Sequence, residues 1–201
     1  MHGGIKRAEF NVFTSHDERA SQQIQEKERI GRLGARLIEE NDIIFIDSGT
    51  TTAALANYLP LDLKVTVLTN NLDVINKFAN MSSINLIVLG NQYYRDTRSF
   101  IYSHYDQLTI NNYNVDKAFL GTSGITANNG ITNSDFYEIY IKKYIVERSS
   151  EVYVLSDQTK FGHASLNTFA EFKQVTGLIT DAEPPTDIVD TCLNLGVDII
   201  K

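Results

Sequence analysis

The chain has a single cysteine, Cys192, so no disulfide can close within it. That fits a cytoplasmic protein, with Cys192 serving packing rather than chemistry. No apolar run approaches the roughly 20 residues of a membrane-spanning helix, and no membrane partner is expected. The opening residues, Met1-His2-Gly3-Gly4-Ile5-Lys6-Arg7, have basic character but no apolar core behind it, which excludes a secretory signal. Basic residues are scarce as well: 18 Lys and Arg face 25 Asp and Glu, for a net charge of −7. They are scattered rather than clustered, which argues against a grip on nucleic acid by this chain alone. His2, His16, His104 and His163 are too far apart in sequence for a metal site, and zinc-type Cys/His spacing is missing, so no metal or cofactor is expected. Repeats, low-complexity runs and linkers are missing too.

What remains is a chain of 201 residues, 42% hydrophobic and 21% charged, which suits one domain or a domain with a small appendage and is long enough to bury a true core. Its most informative stretch is Ile43-Ile44-Phe45-Ile46-Asp47-Ser48-Gly49-Thr50-Thr51-Thr52. The apolar β-formers predict a strand buried on both faces. The run from Ala53 to Leu59 predicts a helix with an apolar stripe. A buried strand that passes through Ser-Gly-Thr-Thr-Thr into a helix builds an anion nest, because first-turn N–H groups have no intrahelical acceptor and the helix dipole adds positive charge. Gly49 lets the backbone approach a ligand closely. Ser48, Gly49, Thr50, Thr51 and Thr52 are therefore candidate phosphate ligands. The same residues would equally serve as an ordinary N-cap and first turn, and both possibilities stay open here.

Strands and helices alternate along the chain. Ser15-His16-Asp17-Glu18 has capping-box spacing before a long polar helix whose apolar stripe includes Ile24, Ile30, Leu33 and Leu37. Further strands are predicted at 65–68, 85–89, 115–120, 151–155 and 177–180. Helices are predicted at about 72–79, around Tyr137, Tyr140, Ile141, Tyr144 and Ile145, and at about 187–195. Residues 126–133 form a turn-rich loop with Asn129-Gly130 at its tip.

The alternation implies an α/β fold, a mostly parallel sheet with helices on both faces, whose ligands sit beyond the carboxyl ends of the strands. The strand tips are polar or glycine-bearing: Asp47-Ser48-Gly49, Thr69-Asn70, Gly90, Gly121-Thr122-Ser123, and Asp157 with Lys160. Together they make a cleft with hydroxyls, amides and one lysine. Lys160 would meet a phosphate as a point charge, or else stand in solvent in a surface turn.

Five segments in order resemble the effector-sensing domain of DeoR-type transcriptional regulators. They are residues 46–52, Leu68-Thr69-Asn70-Asn71, Leu89-Gly90, residues 118–125 and residues 156–162, with the likeness running from about His2 to Thr180. The resemblance implies a sensor for phosphorylated sugars, on a fold shared with ribose-5-phosphate isomerase and CoA transferases. It implies that residues 48–52 cradle the phosphate. Asp47 and Lys160 match residues of the family motif, as does the Thr69-Asn70 tip. It also implies a homo-oligomer in which residues 1–201 are the sensor and residues 1–10 the remnant of a linker from a missing helix-turn-helix domain, through which operator DNA would be bound. Gly90-Asn91 and Ser99-Phe100-Ile101-Tyr102 depart from the family's usual paired glycines and Ser-Phe-Val-Gly run, so no role is assigned to residues 91–105.

The alternative is an aldose-ketose isomerase of the same fold. That chemistry needs a carboxylate base beside the sugar and groups that stabilise an enediolate. The turn Gly121-Thr122-Ser123-Gly124 is followed by no carboxylate until Asp135, which favours a sensor over an enzyme, with Asp47 and Asp157 left as candidate bases. Outside the cleft, Glu138 and Lys142 are spaced for an exposed helical ion pair. The Tyr137, Tyr140, Tyr144 stripe suits core or subunit contact. His163 follows the Lys160 turn as a surface residue.

Overall fold

A computed structural model describes residues 15–101 and 113–201. A seven-stranded sheet organises the chain, in the order β12-β11-β9-β6-β1-β2-β3, with every neighbouring pair parallel. Its strands are β1 (Ile43–Ile46), β2 (Val65–Thr69), β3 (Ile84–Val88), β6 (Val115–Gly121), β9 (Ser149–Ser156), β11 (Gly177–Thr180) and β12 (Asp198–Ile200). The helices are α1 (His16–Ser21), α2 (Ile24–Ala35), α3 (Thr50–Ala56), α4 (Leu72–Phe78), α5 (Phe136–Arg148) and α6 (Thr186–Leu195).

Side chains alternate across the parallel strands, so each strand feeds two cores. Ile44, Ile46, Val65, Val67, Phe119, Leu155 and Ile179 pack on one face against α2, α3 and α4. Phe45, Leu68, Ala118, Leu120, Val154 and Leu178 point to the other, under α5 and α6. Burying each such large apolar side chain is worth about 1.5–3 kcal/mol, and Ile44, Phe45 and Ile46 are fully buried at the centre of the sheet while Ile43, at its start, is exposed. The expected α/β architecture, helices on both faces, is what forms. Cys192 is fully buried, and burial pushes its thiol up to about 11, so it packs as expected.

Two local expectations are corrected, and two further elements were not anticipated. The long helix after Ser15 is two helices. The capping box between Ser15 and Glu18 forms, but the chain breaks at Gln23, which takes a left-handed φ of 50°. The break is held by Lys27, whose Nζ reaches back to the Arg19 and Gln22 carbonyl oxygens and caps α1. The loop at 126–133 is instead an antiparallel hairpin, β7 (Gly124–Thr126) and β8 (Gly130–Asn133), joined by β10 (Asn167–Ala170). A second hairpin, β4 (Gln92–Tyr94) and β5 (Ser99–Ile101), was not anticipated. Strand β12 was also missed.

Candidate functional site

The strand order places the switch point between β1 and β6. From β1 the chain winds outward to β2 and β3, then returns to β6 and winds the other way through β9 and β11. Connections leave these two strands in opposite directions, so a crevice opens beyond their carboxyl ends. At the end of β1 lies the turn Asp47-Ser48-Gly49, and α3 starts directly after it. Gly49 is the helix N-cap with φ 148° and ψ 155°, a conformation that an L side chain would strain. Among the described residues, no side chain caps α3. Its first-turn N–H groups thus lack a side-chain acceptor at the mouth of the crevice.

Beneath this turn lies a buried polar network that the sequence did not reveal. Asp47 is fully buried, and its Oδ2 accepts from the Gly121 N–H at 2.9 Å and from Lys142 Nζ. Lys142 Nζ also donates to the Gly121 carbonyl oxygen at 2.9 Å. One helical turn earlier, Glu138 accepts from Ser48 Oγ at 2.6 Å and from Asn133 Nδ2 at 2.9 Å. Burial raises the Asp47 carboxyl above its ordinary range; the Lys142 ammonium opposes that shift and the Glu138 carboxyl adds to it. The network ties the ends of β1 and β6 to α5 and fixes the floor of the crevice.

Glu138 and Lys142 are therefore not an exposed pair: they are 5% and 1% exposed and bond in opposite directions. The stripe facing inward on α5 is Glu138, Ile141, Lys142 and Ile145, whereas Tyr137 and Tyr140 are 55% and 58% exposed. The core alternative for those two tyrosines fails. Tyr144 is half-buried against the core. An available signal was that Glu138 and Lys142 share the helical face of Ile141 and Ile145.

The other anticipated residues divide by position. Ser48 and Thr52 spend their hydroxyls inward, on Glu138 and on the carbonyl oxygens of Asp47 and Gly49. Thr50 and Thr51 stay half-buried at the mouth with Gly49. Thr69 is fully buried and donates to the Ile46 carbonyl. Asn70 donates from Nδ2 to the Phe100 carbonyl at 3.2 Å, while its Oδ1 is buried without a partner among the described residues. Gly90, at φ 94°, backs onto Phe100 so closely that a Cβ would lie 2.8 Å from its backbone. Asn70 and Gly90, both against Phe100, seat the β4–β5 hairpin at the tips of β2 and β3. That closes this side of the sheet edge.

On the other side, Gly121 belongs to the Asp47 network. The Thr122 hydroxyl braces the turn by bonding to the Gly124 and Thr132 carbonyls, and Ser123 Oγ donates to Asn133 Oδ1. Asp157 is buried and accepts from the Thr159 N–H at 2.9 Å, opening the short 3-10 turn Gln158–Lys160. Lys160 Nζ lies 3.9 Å from Asp157 Oδ2 with a third of its side chain exposed. His163 is exposed, its ring nitrogen 2.8 Å from the Ser123 carbonyl oxygen. Among the described residues, no cluster of His, Cys, Asp and Glu could hold a metal ion. No described helix is long and apolar enough to cross a membrane.

Comparison with known proteins gives the family. The family model described as the DeoR C terminal sensor domain matches residues 22–182. The HTH-type transcriptional regulator IolR of Bacillus subtilis is 39% identical over 96% of this chain and 76% of its own length. The glycerol-3-phosphate regulon repressor of Escherichia coli is 31% identical, covering 94% of this chain and 74% of its own. Among solved structures, eIF2B delta from Chaetomium thermophilum superposes with a TM-score of 0.58 at 15% identity, over 81% of this chain and 58% of that one, which is a likeness of fold alone. The alternating sheet, its switch-point turn and the match over residues 22–182 agree: the chain belongs to the DeoR family of transcriptional regulators, through its C-terminal sensor domain.

Proposed function

We propose that this chain is the effector-sensing part of a DeoR-type repressor and that its effector is a phosphorylated sugar or polyol. The observation that carries the proposal is the uncapped turn from Gly49 into α3 at the switch point of the sheet. With the Ser48 and Thr52 hydroxyls turned inward, the phosphate is met by backbone N–H groups from Gly49 onward and by the Thr50 and Thr51 hydroxyls. Lys160 approaches from the end of β9. Asp47, Gly121 and Thr69 form the floor, and Thr122, Ser123, Asn70 and Asp157 border the sugar. The E. coli relative, by its name, represses a glycerol-3-phosphate regulon, which supports a phosphorylated polyol or sugar as the ligand class.

Operator DNA is bound through residues outside this acidic chain, and the ligand shifts that binding only as far as it prefers one arrangement of the protein over another. Self-association belongs to the same proposal. Phe136, Tyr137 and Tyr140 expose an aromatic face, with Tyr94 and Tyr137 ring centroids 5.3 Å apart, that offers apolar area for a second copy.

Lys160→Ala tests the site. It should weaken the best-stabilising sugar phosphate by about 1.5–3 kcal/mol, the loss of a charge-assisted hydrogen bond, with the fold intact. Unchanged affinity by isothermal titration calorimetry would put Lys160 in solvent. Sensor and isomerase part on turnover. Asp47 is buried beneath Lys142 and Gly121 and Asp157 is spent on its own turn, so neither is free to serve as the base. Pentose and hexose phosphates incubated for long periods with abundant protein should remain unconverted by NMR; the appearance of the ketose or aldose partner would make the chain an isomerase.

A further inference from the structure

Glu138 is a costly residue to bury. It is 5% exposed on α5, and among the described residues no cation pairs with it, because Lys142, one turn further along, is spent on Asp47. A buried carboxylate without a counter-ion is unfavourable unless hydrogen bonds compensate it. Glu138 accepts two from side chains, and both come from walls of the crevice. Its Oε1 accepts from Ser48 Oγ at 2.6 Å, at the base of the turn that leads into α3. Its Oε2 accepts from Asn133 Nδ2 at 2.9 Å. Asn133 Oδ1 in turn accepts from Ser123 Oγ at 2.9 Å, on the wall proposed to border the sugar.

Ser48 has a single hydroxyl proton to give. Given to Glu138, it pins the side chain beneath the turn. The next residue, Gly49, stands at φ 148°, and no side chain caps α3. The aim of the first-turn N–H groups therefore depends on what anchors the turn from behind. Thr52 and Asn71 anchor its backbone through the Asp47 and Gly49 carbonyl oxygens. Glu138 holds the Ser48 side chain and also reaches across to the opposite wall.

We propose that Glu138 is a positioning residue of the effector crevice, which sets the phosphate turn through Ser48 and couples it to the Ser123 wall through Asn133. The inference rests on the proposed phosphate site and adds a regulation to it. Glu138 itself touches no ligand. Phosphate entering the turn perturbs the Ser48–Glu138 bond, and the perturbation passes to Asn133 and Ser123. The two halves of a sugar phosphate are thus read together rather than as independent contacts. A binding site held this way from behind is organised before its ligand arrives.

The test titrates inorganic phosphate into the wild-type chain, Ser48→Ala, Glu138→Ala and the double variant, reading affinity from amide NMR shifts. The side-chain amide signal of Asn133 is followed in the same spectra. Each single substitution should weaken phosphate roughly tenfold, the scale on which groups that orient a ligand's partners act. The double variant should bind no more weakly than either single one, because both remove the same bond. At saturating phosphate the Asn133 signal should move in the wild type and stay still in Ser48→Ala, a difference that lost stability alone would not produce. If Ser48→Ala weakens phosphate while Glu138→Ala does not, or if the two losses multiply, Ser48 is a direct ligand and the coupling is wrong, with the phosphate site intact. If phosphate shifts no amide at 49–52 in the wild type, both fall. Should Glu138→Ala fail to fold, Ser48→Ala decides: an Asn133 shift equal to that of the wild type at saturation overturns the proposal.

Discussion

Lys142→Met should destabilise the chain by about 3–5 kcal/mol, the cost of stranding a buried charge rather than of losing a surface contact. Lys142 is 1% exposed and Asp47 fully buried, so solvent cannot replace the lost ammonium. A surface pair would cost no more than about 1 kcal/mol, and a loss that small in urea unfolding would place Asp47 and Lys142 outside the core. The double variant Asp47→Asn/Lys142→Met should be less damaged than Lys142→Met alone, because the amide needs no counter-charge and still accepts from Gly121. The pH dependence carries a definite sign. Burial already raises Asp47 in the wild type, and removing Lys142 leaves that rise unopposed. The folded variant then holds a proton that the unfolded chain has released. Its stability is greatest below the ordinary carboxylate range and is lost as pH rises through the raised folded value. A variant that gained stability over that rise would contradict the assignment.

The second large effect concerns ligand class. A phosphate at the Gly49 turn gains charge-assisted bonds from Lys160 and from backbone N–H groups, each worth about 1.5–3 kcal/mol. Losing two of them predicts that an unphosphorylated sugar binds about 10²–10⁴-fold more weakly than its phosphate. In a thermal-shift panel the phosphorylated members should stabilise the chain and their parents should not, since a ligand confined to the native state raises its melting temperature. Equal shifts from fructose and its phosphates, or none from a broad panel, would remove the phosphate from the proposal.

The sequence announces features whose cause is local. Ile43-Ile44-Phe45-Ile46 is legible as a central strand because four consecutive β-formers fit only where both faces are covered. Polar tips followed by helix starts mark the carboxyl ends of the parallel strands, and in the fold the Asn71 side chain caps α4 just beyond β2. Parallel alternation, and with it the edge where sheets of this kind hold their ligands, follows from the order of these elements alone. The resemblance of residues 46–52 and 156–162 to a sensor family lies in that same local grammar.

What the sequence could not convey are contacts between distant segments. Asp47 meets Lys142 across 95 residues, and nothing near either one records it. Local spacing pairs Lys142 with Glu138, yet closing the sheet sends one to Asp47 and the other to Ser48 and Asn133. The strand β10 joins β8 from 34 residues beyond it, at Asn167 opposite Asn133, so residues 126–133 alone look like a loop. Only the folded chain shows Lys27 bending back to cap α1 through the Arg19 and Gln22 carbonyls. Periodicity fixes which face of an element is apolar; only the packed fold decides which buried charges meet and which donors remain for a ligand.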